Sequence, residues 1–414
     1  MTVLRALAES LKPETEARLA DYLHKKLNYN RLGRALRSLR NLNLIVVKTK
    51  PDSADVVELH PLVREFIRQR FPRQERIAFI EPILSFYLRF IGQHRTELDH
   101  GPSFTVLQNW TESAELDLGT GRLERAFERM AEAASAFESS AFINEFARVC
   151  KMLFKEIDWK KLPPTGNLDR VLGAYVRILG HLGRNEDADL LLEKFETTLT
   201  AKDTRYINYC GIRCYLYWIC GDFNPAVEWG KRGQELKIKS GVDTAAAPEY
   251  NLALAQRDAG DIDPALSYFL SGRTLSEVTD PDELDEERGA PHYGNIGRCL
   301  HLMGQIDPAL ICYRKSAVLL ERSKKHGHTT NEGYIRQWIG ELYIDRNDVY
   351  VARNFLIAAR QRWEQVFPPR VAEISARLST IENAFSDCKK LSEEDCERYC
   401  KAWIYGREDE FLLK

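Results

Sequence analysis

Long apolar runs are missing. No stretch approaches the roughly 18 uninterrupted apolar residues that a membrane-spanning helix needs, and Met1 to Lys12 lacks the charged-then-apolar layout of a signal peptide. A cytoplasmic location is the expectation. Cysteine is sparse and odd in number, nine among 414 residues, which excludes a disulfide scaffold and fits reduced, buried thiols. Net charge is small as well: 59 Lys and Arg against 61 Asp and Glu leave −2, so the molecule as a whole does not attract nucleic acid or an anionic membrane. The sequence contains no GxxxxGK followed by Ser or Thr, no GxGxxG, no GxSxG and no HExxH. Neither a P-loop, a dinucleotide-binding turn, a nucleophile elbow nor a zinc-protease helix can therefore be argued. ATP hydrolysis by this chain alone is not expected, nor is any enzymatic activity or cofactor.

Cys210, Cys214 and Cys220, like Cys388, Cys396 and Cys400, form no CxxC pair. Thiols four apart on a helix are usually small buried hydrophobes. His326 and His328 have no Cys or carboxylate at ligand spacing, so no metal site is expected.

What is present is an ordinary folded composition, 44% hydrophobic and 29% charged, long enough for two or three core-bearing domains. Charge is unevenly spread. Residues 1–76 hold 16 Lys and Arg against 9 Asp and Glu, so a basic head precedes an acidic body. Within the head, Leu32, Ala35, Leu36, Leu39 and Leu42 recur at helical steps while Arg31, Arg34, Arg37 and Arg40 fall on another face, an amphipathic helix with a basic stripe. Leu44 to Val47 and Val56 to Leu59 are largely β-branched runs around a turn-rich Lys50 to Asp55 segment, a hairpin signal. His60-Pro61-Leu-Val-Arg-Glu-Phe66 then opens another helix, with Pro61 where no amide hydrogen is missed. Helices followed by a hairpin is a winged-helix order.

The segment from Leu36 to Phe71 resembles the winged-helix subdomain that follows the nucleotide-binding core in STAND-type signalling NTPases, particularly their NB-ARC-like members. In that family a His at the end of the wing sits near the β-phosphate of bound ADP and helps hold the switched-off state. The resemblance assigns that role to His60, and only where an NTPase core supplies the nucleotide. Pro61 stands where many members have Asp.

From about residue 105 the chain reads as helix pairs, and a repeat is legible. Gly121, Gly183, Gly221, Gly260, Gly304 and Asn347 are each followed by a polar residue and, five positions on, by Ala126, Ala188, Ala226, Ala265, Ala309 and Ala352. The spacings of 62, 38, 39, 44 and 43 give a unit of about forty residues, the longest gap hiding a degenerate element around Phe137 to Phe154. The signature is mechanical. Gly ends one helix in a left-handed conformation, Asp or Asn caps the next, Pro sits in its first turn, and Ala lets two helices cross closely. Phe269 and Tyr313 fill the space between pairs, whereas Gly230 stands at the equivalent place in the Gly221 unit. The acidic run Thr279 to Arg288 lengthens the connection between helices and reads as a solvated loop or helix start.

These residues, with Trp110 early in the first unit, Ile296-Gly297 in a later one and Ile339-Gly340-Tyr343 in the last, resemble the tetratricopeptide repeat (TPR). The units are longer than that repeat's usual ~34 residues. After Phe367-Pro-Pro-Arg370 two further helices, the last capped at Ser392, would cover the open end of the stack.

The expected fold is therefore all-α: a TPR-like alpha-alpha superhelix preceded by a small winged-helix domain. Its parts are a winged helix at 1–76, a connecting helix at 77–104, TPR-like repeats at 105–365 and C-terminal capping helices at 366–414. The TPR resemblance implies that the first helix of each pair lines a concave groove. With the Gly as register, that groove carries Arg177 and His181; Asn208, Tyr215 and Trp218; Tyr250, Arg257 and Asp258; Arg298 and His301; and Tyr334, Gln337 and Glu341. Arg and Asn suit backbone amides or carboxylates, and Tyr and Trp offer rigid apolar area; a protein or peptide ligand fits this mixture. In the Tyr206 to Trp218 stretch aromatics cover both helix faces, the larger share being core.

The implied function is a ligand-sensing, protein-interaction module of a STAND-type regulatory or immune protein, partnered by an NTPase core in cis or in trans, the chain being a fragment or a separate subunit. The alternative is a DNA-binding regulator whose winged helix reads DNA while the repeats sense a ligand. Asp52, Asp55 and Glu58 in the hairpin count against it.

Overall fold

The computed structural model describes residues 34, 37–42, 44–50, 53–59, 73–162, 166–199, 202–242, 247–287, 289–322, 329–364, 366–384 and 390–412. They belong to two compact units, Met1–Arg95 with Gln108–Arg129, and Thr96–Leu107 with Met130–Lys414.

In the first unit residues 37–41 are helical; Arg34, Arg37 and Arg40 are exposed, and so is Leu42, which the sequence pattern places on the apolar face. A two-stranded antiparallel hairpin follows, β1 (Ile45–Lys50) on β2 (Ser53–Leu59), pairing Ile45 with Leu59 and Val47 with Val57. The strands run longer than the β-branched runs alone suggest, because pairing extends to Lys50 and Ser53 across an irregularity between Lys48 and Lys50. His60, Arg31 and the helices expected ahead of Arg34 lie outside the described residues. The helix α1 (Arg73–His94) buries Leu84, Tyr87 and Ile91, and in the same unit Trp110, Leu118, Ala126 and Phe127 are buried. These last residues belong to α2 (Phe104–Thr120) and α3 (Leu123–Ser139). Arg122 pairs with Glu81, and the Tyr87 hydroxyl donates to Glu112.

The second unit holds five of the six signature turns. Its helices are α4 (Ile143–Lys155), α5 (Asn167–His181), α6 (Asn185–Glu196), α7 (Thr204–Cys220), α8 (Phe223–Ser240), α9 (Pro248–Ala259), α10 (Ile262–Leu270) and α11 (Leu275–Thr279). There follow α12 (Ala290–Leu302), α13 (Ile306–Arg322), α14 (Thr329–Asp345), α15 (Val349–Trp363), α16 (Pro368–Ala384), α17 (Glu393–Ile404) and α18 (Asp409–Leu412). The long gap in the repeat contains α4, a single 13-residue helix with no signature turn of its own.

The turns form as the sequence predicts. Gly183, Gly221, Gly260, Gly304 and Asn347 have φ of 71°, 87°, 92°, 75° and 61°. At each, two amides reach back into the preceding helix. Gly221 N–H bonds Trp218 O at 3.1 Å and Asp222 N–H bonds Tyr217 O at 2.9 Å, a Schellman end that satisfies the last carbonyls. The expected Asp caps are mostly not made. Asp222 and Asp261 occupy the cap positions without a capping bond to the backbone, Asp261 accepting from Gln256 Nε2 instead, and of these Asp residues only Asp348 caps, accepting from Val351 N at 3.2 Å. The Schellman pair already holds the chain entry in place.

Each signature Ala is fully buried. A Cβ on Gly297 would stand 3.2 Å from Ala309 O, and one on Gly340 the same distance from Ala352 O. Small residues on both sides let paired helices cross backbone against side chain. Gly230, where an aromatic is expected, instead admits Leu252 and Cys214, which a Cβ there would meet at 2.9 and 3.1 Å.

The acidic insertion is tied down rather than merely solvated. Thr274 and Glu277 form a capping box on α11, Lys315 Nζ bonds Val278 O at 2.7 Å, and Arg273 pairs with Glu283 and Asp285 at 3.0 Å each. At the C-terminus Ser392 caps α17 through Asp395 N as expected. The two terminal helices do different things. α17 covers α15 with Tyr399, Cys400 and Trp403, whereas α16 also packs on α15 and sends Arg370 and Arg377 to the inner helix α14. Phe367 just before it packs at a tilt against His181 with centroids 5.0 Å apart, and Arg377 pairs with Glu341 at 2.8 Å. The inner helices thus curve until α16 meets α5.

Candidate functional site

The helices that precede each signature turn, α5, α7, α9, α12 and α14, form an inner wall, to which α16 adds Arg370, Glu373 and Arg377. A ladder of polar bonds joins them, each rung spanning about one repeat. Asn208 donates to Asp169 at 3.2 Å, Asn251 to Gly211 O at 2.9 Å and Trp218 Nε1 to Asp258 at 2.7 Å. Asn295 donates to the Tyr250 hydroxyl at 3.0 Å and accepts from Arg257. Arg298 bonds Glu341 at 2.7 Å, and His301 contacts Asp345 at 2.8 Å. Buried polar groups need partners, and here neighbouring repeats supply them.

This ladder sorts the predicted groove residues. Arg177 is held bidentate by Glu138 at 2.5 and 3.0 Å. His181 is buried between the Tyr215 hydroxyl and Phe367, and burial followed by the nearby Arg177 and Arg370 charges lowers its pKa to about 3, so the ring is neutral. Asn208 and His301 are buried in rungs of the ladder. None of these four lines the two cavities of the wall. The other nine do: Tyr215, Trp218, Tyr250, Arg257, Asp258, Arg298, Tyr334, Gln337 and Glu341.

The first cavity, of about 220 Å³, is mainly apolar, with Leu254 and Ile335 beside the rings of Tyr215, Trp218, Tyr250, Tyr334 and Trp338. The second, of about 390 Å³, is charged, with Arg257, Arg298, Arg370 and Arg377 facing Asp258, Glu341 and Glu373. Trp218, Arg257, Tyr334 and Trp338 line both and form a waist between them. Trp218 and Tyr334, from helices three repeats apart in the chain, approach to 6.3 Å between centroids.

Arg257 is the fixed point of the waist. It is 1% exposed, gives Nε and Nη2 to Asp258 at 2.8 and 2.7 Å, and lies over the Trp338 ring at 5.1 Å. Burial pushes the Asp258 carboxyl up, but the Arg257 charge and the bonds from Arg257 and Trp218 outweigh it and hold the pKa below its ordinary value. Burial pushes the Tyr334 hydroxyl up to about 12, with Arg370 pulling the other way; the hydroxyl makes no well-formed hydrogen bond.

Residues the sequence reading did not select complete the site. Asn295 stands nine positions before Gly304, as Asn251 does before Gly260, a register that marks both as ladder residues. Trp338 stands four after Tyr334 on the same face. Arg370, Glu373 and Arg377 carry no such signal, because α16 reads as a cap and not as a sixth inner helix. Among the described residues no group of three His, Cys, Asp or Glu side chains is placed to hold a metal ion, and no helix is long and apolar enough to cross a membrane.

No protein-family model matches the chain, and no curated protein matches it. A solved structure of a Signal Transduction ATPase with Numerous Domains (STAND) protein with a tetratricopeptide repeat sensor, from Pyrococcus horikoshii, is similar at a TM-score of 0.34 and 13% identity. The match takes in 100% of this chain and 63% of that one, so the chain spans less than two thirds of its neighbour's length.

Proposed function

We propose that this chain is a ligand-sensing, protein-interaction module of a STAND-type regulatory or immune protein, recognising a protein or peptide segment on the inner wall of its repeats. The observation that carries this reading is the pair of cavities meeting at Trp218, Arg257, Tyr334 and Trp338: aromatic and Arg anchors, held rigid by the ladder, are the residue types that dominate recognition surfaces. Binding, without catalysis, is part of the same proposal. A winged-helix domain at the N-terminus, cytoplasmic residence and an NTPase core as partner, in cis or in trans, belong to the same proposal. In it the ligand shifts the equilibrium toward an open state by its differential affinity for the two.

The test is selection of peptides from a random displayed library on the full-length chain, followed by titration of the winners against Trp338→Ala and Arg257→Gln. Winners whose binding falls about tenfold or more in either variant, a loss of about 1.4 kcal/mol, support the reading. Winners indifferent to both place recognition elsewhere.

The exposed Arg34, Arg37 and Arg40 ahead of a hairpin favour a second reading, a DNA-binding regulator with a repeat sensor. Phosphate contacts by three Arg would make retention of a DNA duplex in a gel shift fall steeply with salt. Absence of a shift at low salt removes this reading.

A further inference from the structure

The two cavities also bear on the chemistry of what enters them, an inference that rests on the inner wall being a ligand site. Width comes first. Trp218 and Tyr334 pack ring against ring, 6.3 Å between centroids, so the wall is closed at the waist, and a helix, ~10 Å across with its side chains, cannot lie through it. The apolar cavity, about 220 Å³, is smaller than the roughly 300–1,000 Å³ of sites that enclose a whole drug-sized ligand. It admits one planar group.

Rings from Tyr215, Trp218, Tyr250, Tyr334 and Trp338 line that cavity, and such a lining suits either a flat ring or an organic cation. Charge decides between them. Guanidinium groups already stand over these rings: Arg257 and Arg298 lie 5.1 and 5.8 Å from the Trp338 centroid, and Arg370 lies 6.0 Å from that of Tyr334. A further cation would meet repulsion there. The adjoining cavity sets four guanidinium groups against three carboxylates. Glu341 is shared by Arg298 and Arg377, and Glu373 by Arg370 and Arg377. Arg298 and Arg370 each give one Nη1 to these acids, at 2.7 Å. The excess is positive, and the planar Arg fork matches a carboxylate.

We propose that the inner wall takes a flat aromatic ring carried next to a carboxylate, the ring in the apolar cavity and the carboxylate against Arg298 and Arg370. Such a group belongs either to a free aromatic acid or to an aromatic residue beside an acidic one in a protein segment. Calorimetric titration of the full-length chain distinguishes these with four probes: N-acetyltryptophan, its uncharged amide, tryptamine, and a blocked Gly-Asp-Trp-Asp-Gly peptide. The acid or the peptide should bind about tenfold tighter than the amide, with tryptamine weakest. Arg370→Gln should weaken the charged probe about tenfold, one charge-assisted pair, and leave the amide unchanged. Asn331→Trp, at a half-buried edge of the apolar cavity, should exclude every probe while keeping the circular dichroism melt of the parent. Binding of the acid alone assigns a free small molecule; binding of the peptide alone assigns a protein segment. An amide or tryptamine that binds as tightly as the acid, a charged probe indifferent to Arg370→Gln, or no binding at millimolar concentration overturns the inference. Library peptides that use the wall without a ring or an acid would leave the sensing function standing and sink this inference alone.

Discussion

Trp218 on α7 donates its indole N–H to Asp258 on α9 at 2.7 Å, and the same carboxylate takes two bonds from Arg257, its neighbour in the chain. One helix therefore locks the charged pair of the next. Trp218→Phe keeps an aromatic body and removes the donor. We expect a loss of about 1–3 kcal/mol, the cost of a buried acceptor deprived of a partner, read as a lower urea midpoint. The Asp258 pKa is depressed in the folded state, so its contribution is present above the unfolded value near 3.9 and disappears as pH falls through the folded one. The variant should lose less stability than the parent on acidification below about pH 4, and a cycle with Asp258→Asn should show coupling.

His181 contributes to a different pH window. Its pKa falls from 6.5 to about 3 on folding, so the unfolded chain binds the extra proton between those values. Stability should be full above pH 6.5 and decline below it, by up to roughly 1.4 kcal/mol per pH unit from this group. In His181→Gln that part of the slope should vanish from chemical-denaturation curves collected between pH 7 and 5. An unchanged slope would mean that the ring is solvated.

Gly333 lies inside α14, where Ala would ordinarily stabilise a helix by about 1 kcal/mol. Here a Cβ would stand 1.9 Å from Trp363 Nε1, and Trp363 is fully buried. Overpacking of about 1–3 kcal/mol outweighs the propensity gain, so Gly333→Ala should lower the melting temperature and weaken Trp363 burial, seen as red-shifted fluorescence. Gly119, with nothing within 4 Å of its would-be Cβ, is the control: Ala there should be neutral or stabilising.

Lys315 is 5% exposed, and its Nζ reaches Val278 O at 2.7 Å. Lys315→Met should release α11 and the acidic segment after it, leaving the carbonyl unpaired at a cost of about 1–3 kcal/mol. Amide hydrogen exchange should speed up at residues 275–279 before it changes in α12 or α13.

Much of the fold was legible because its instructions are local. Gly at 183, 221, 260 and 304 allows the positive φ that ends each helix, and Ala five positions on allows the crossing. The candidate site was legible only in part. Tyr215, Trp218, Arg257 and Tyr334 follow from helical register, but the same register also selected Asn208 and His301, whose polar atoms meet the preceding and the following inner helix and not the cavities. A period places a side chain on a face; it does not say what stands opposite.

By itself the sequence determined that the C-terminal region consists of paired helices, where the turn inside most pairs falls, and which positions face inward, since all of these depend on residues within a few turns of one another. The tertiary structure alone decided that the inner helices curve until Phe367 reaches His181, that α16 brings Arg370 and Arg377 to the wall, and that Trp218 closes on Tyr334. The physical reason is accumulation: a small rotation at every interface between repeats, set by packing volumes at each crossing, adds up over the stack, and no single segment of the sequence carries that sum.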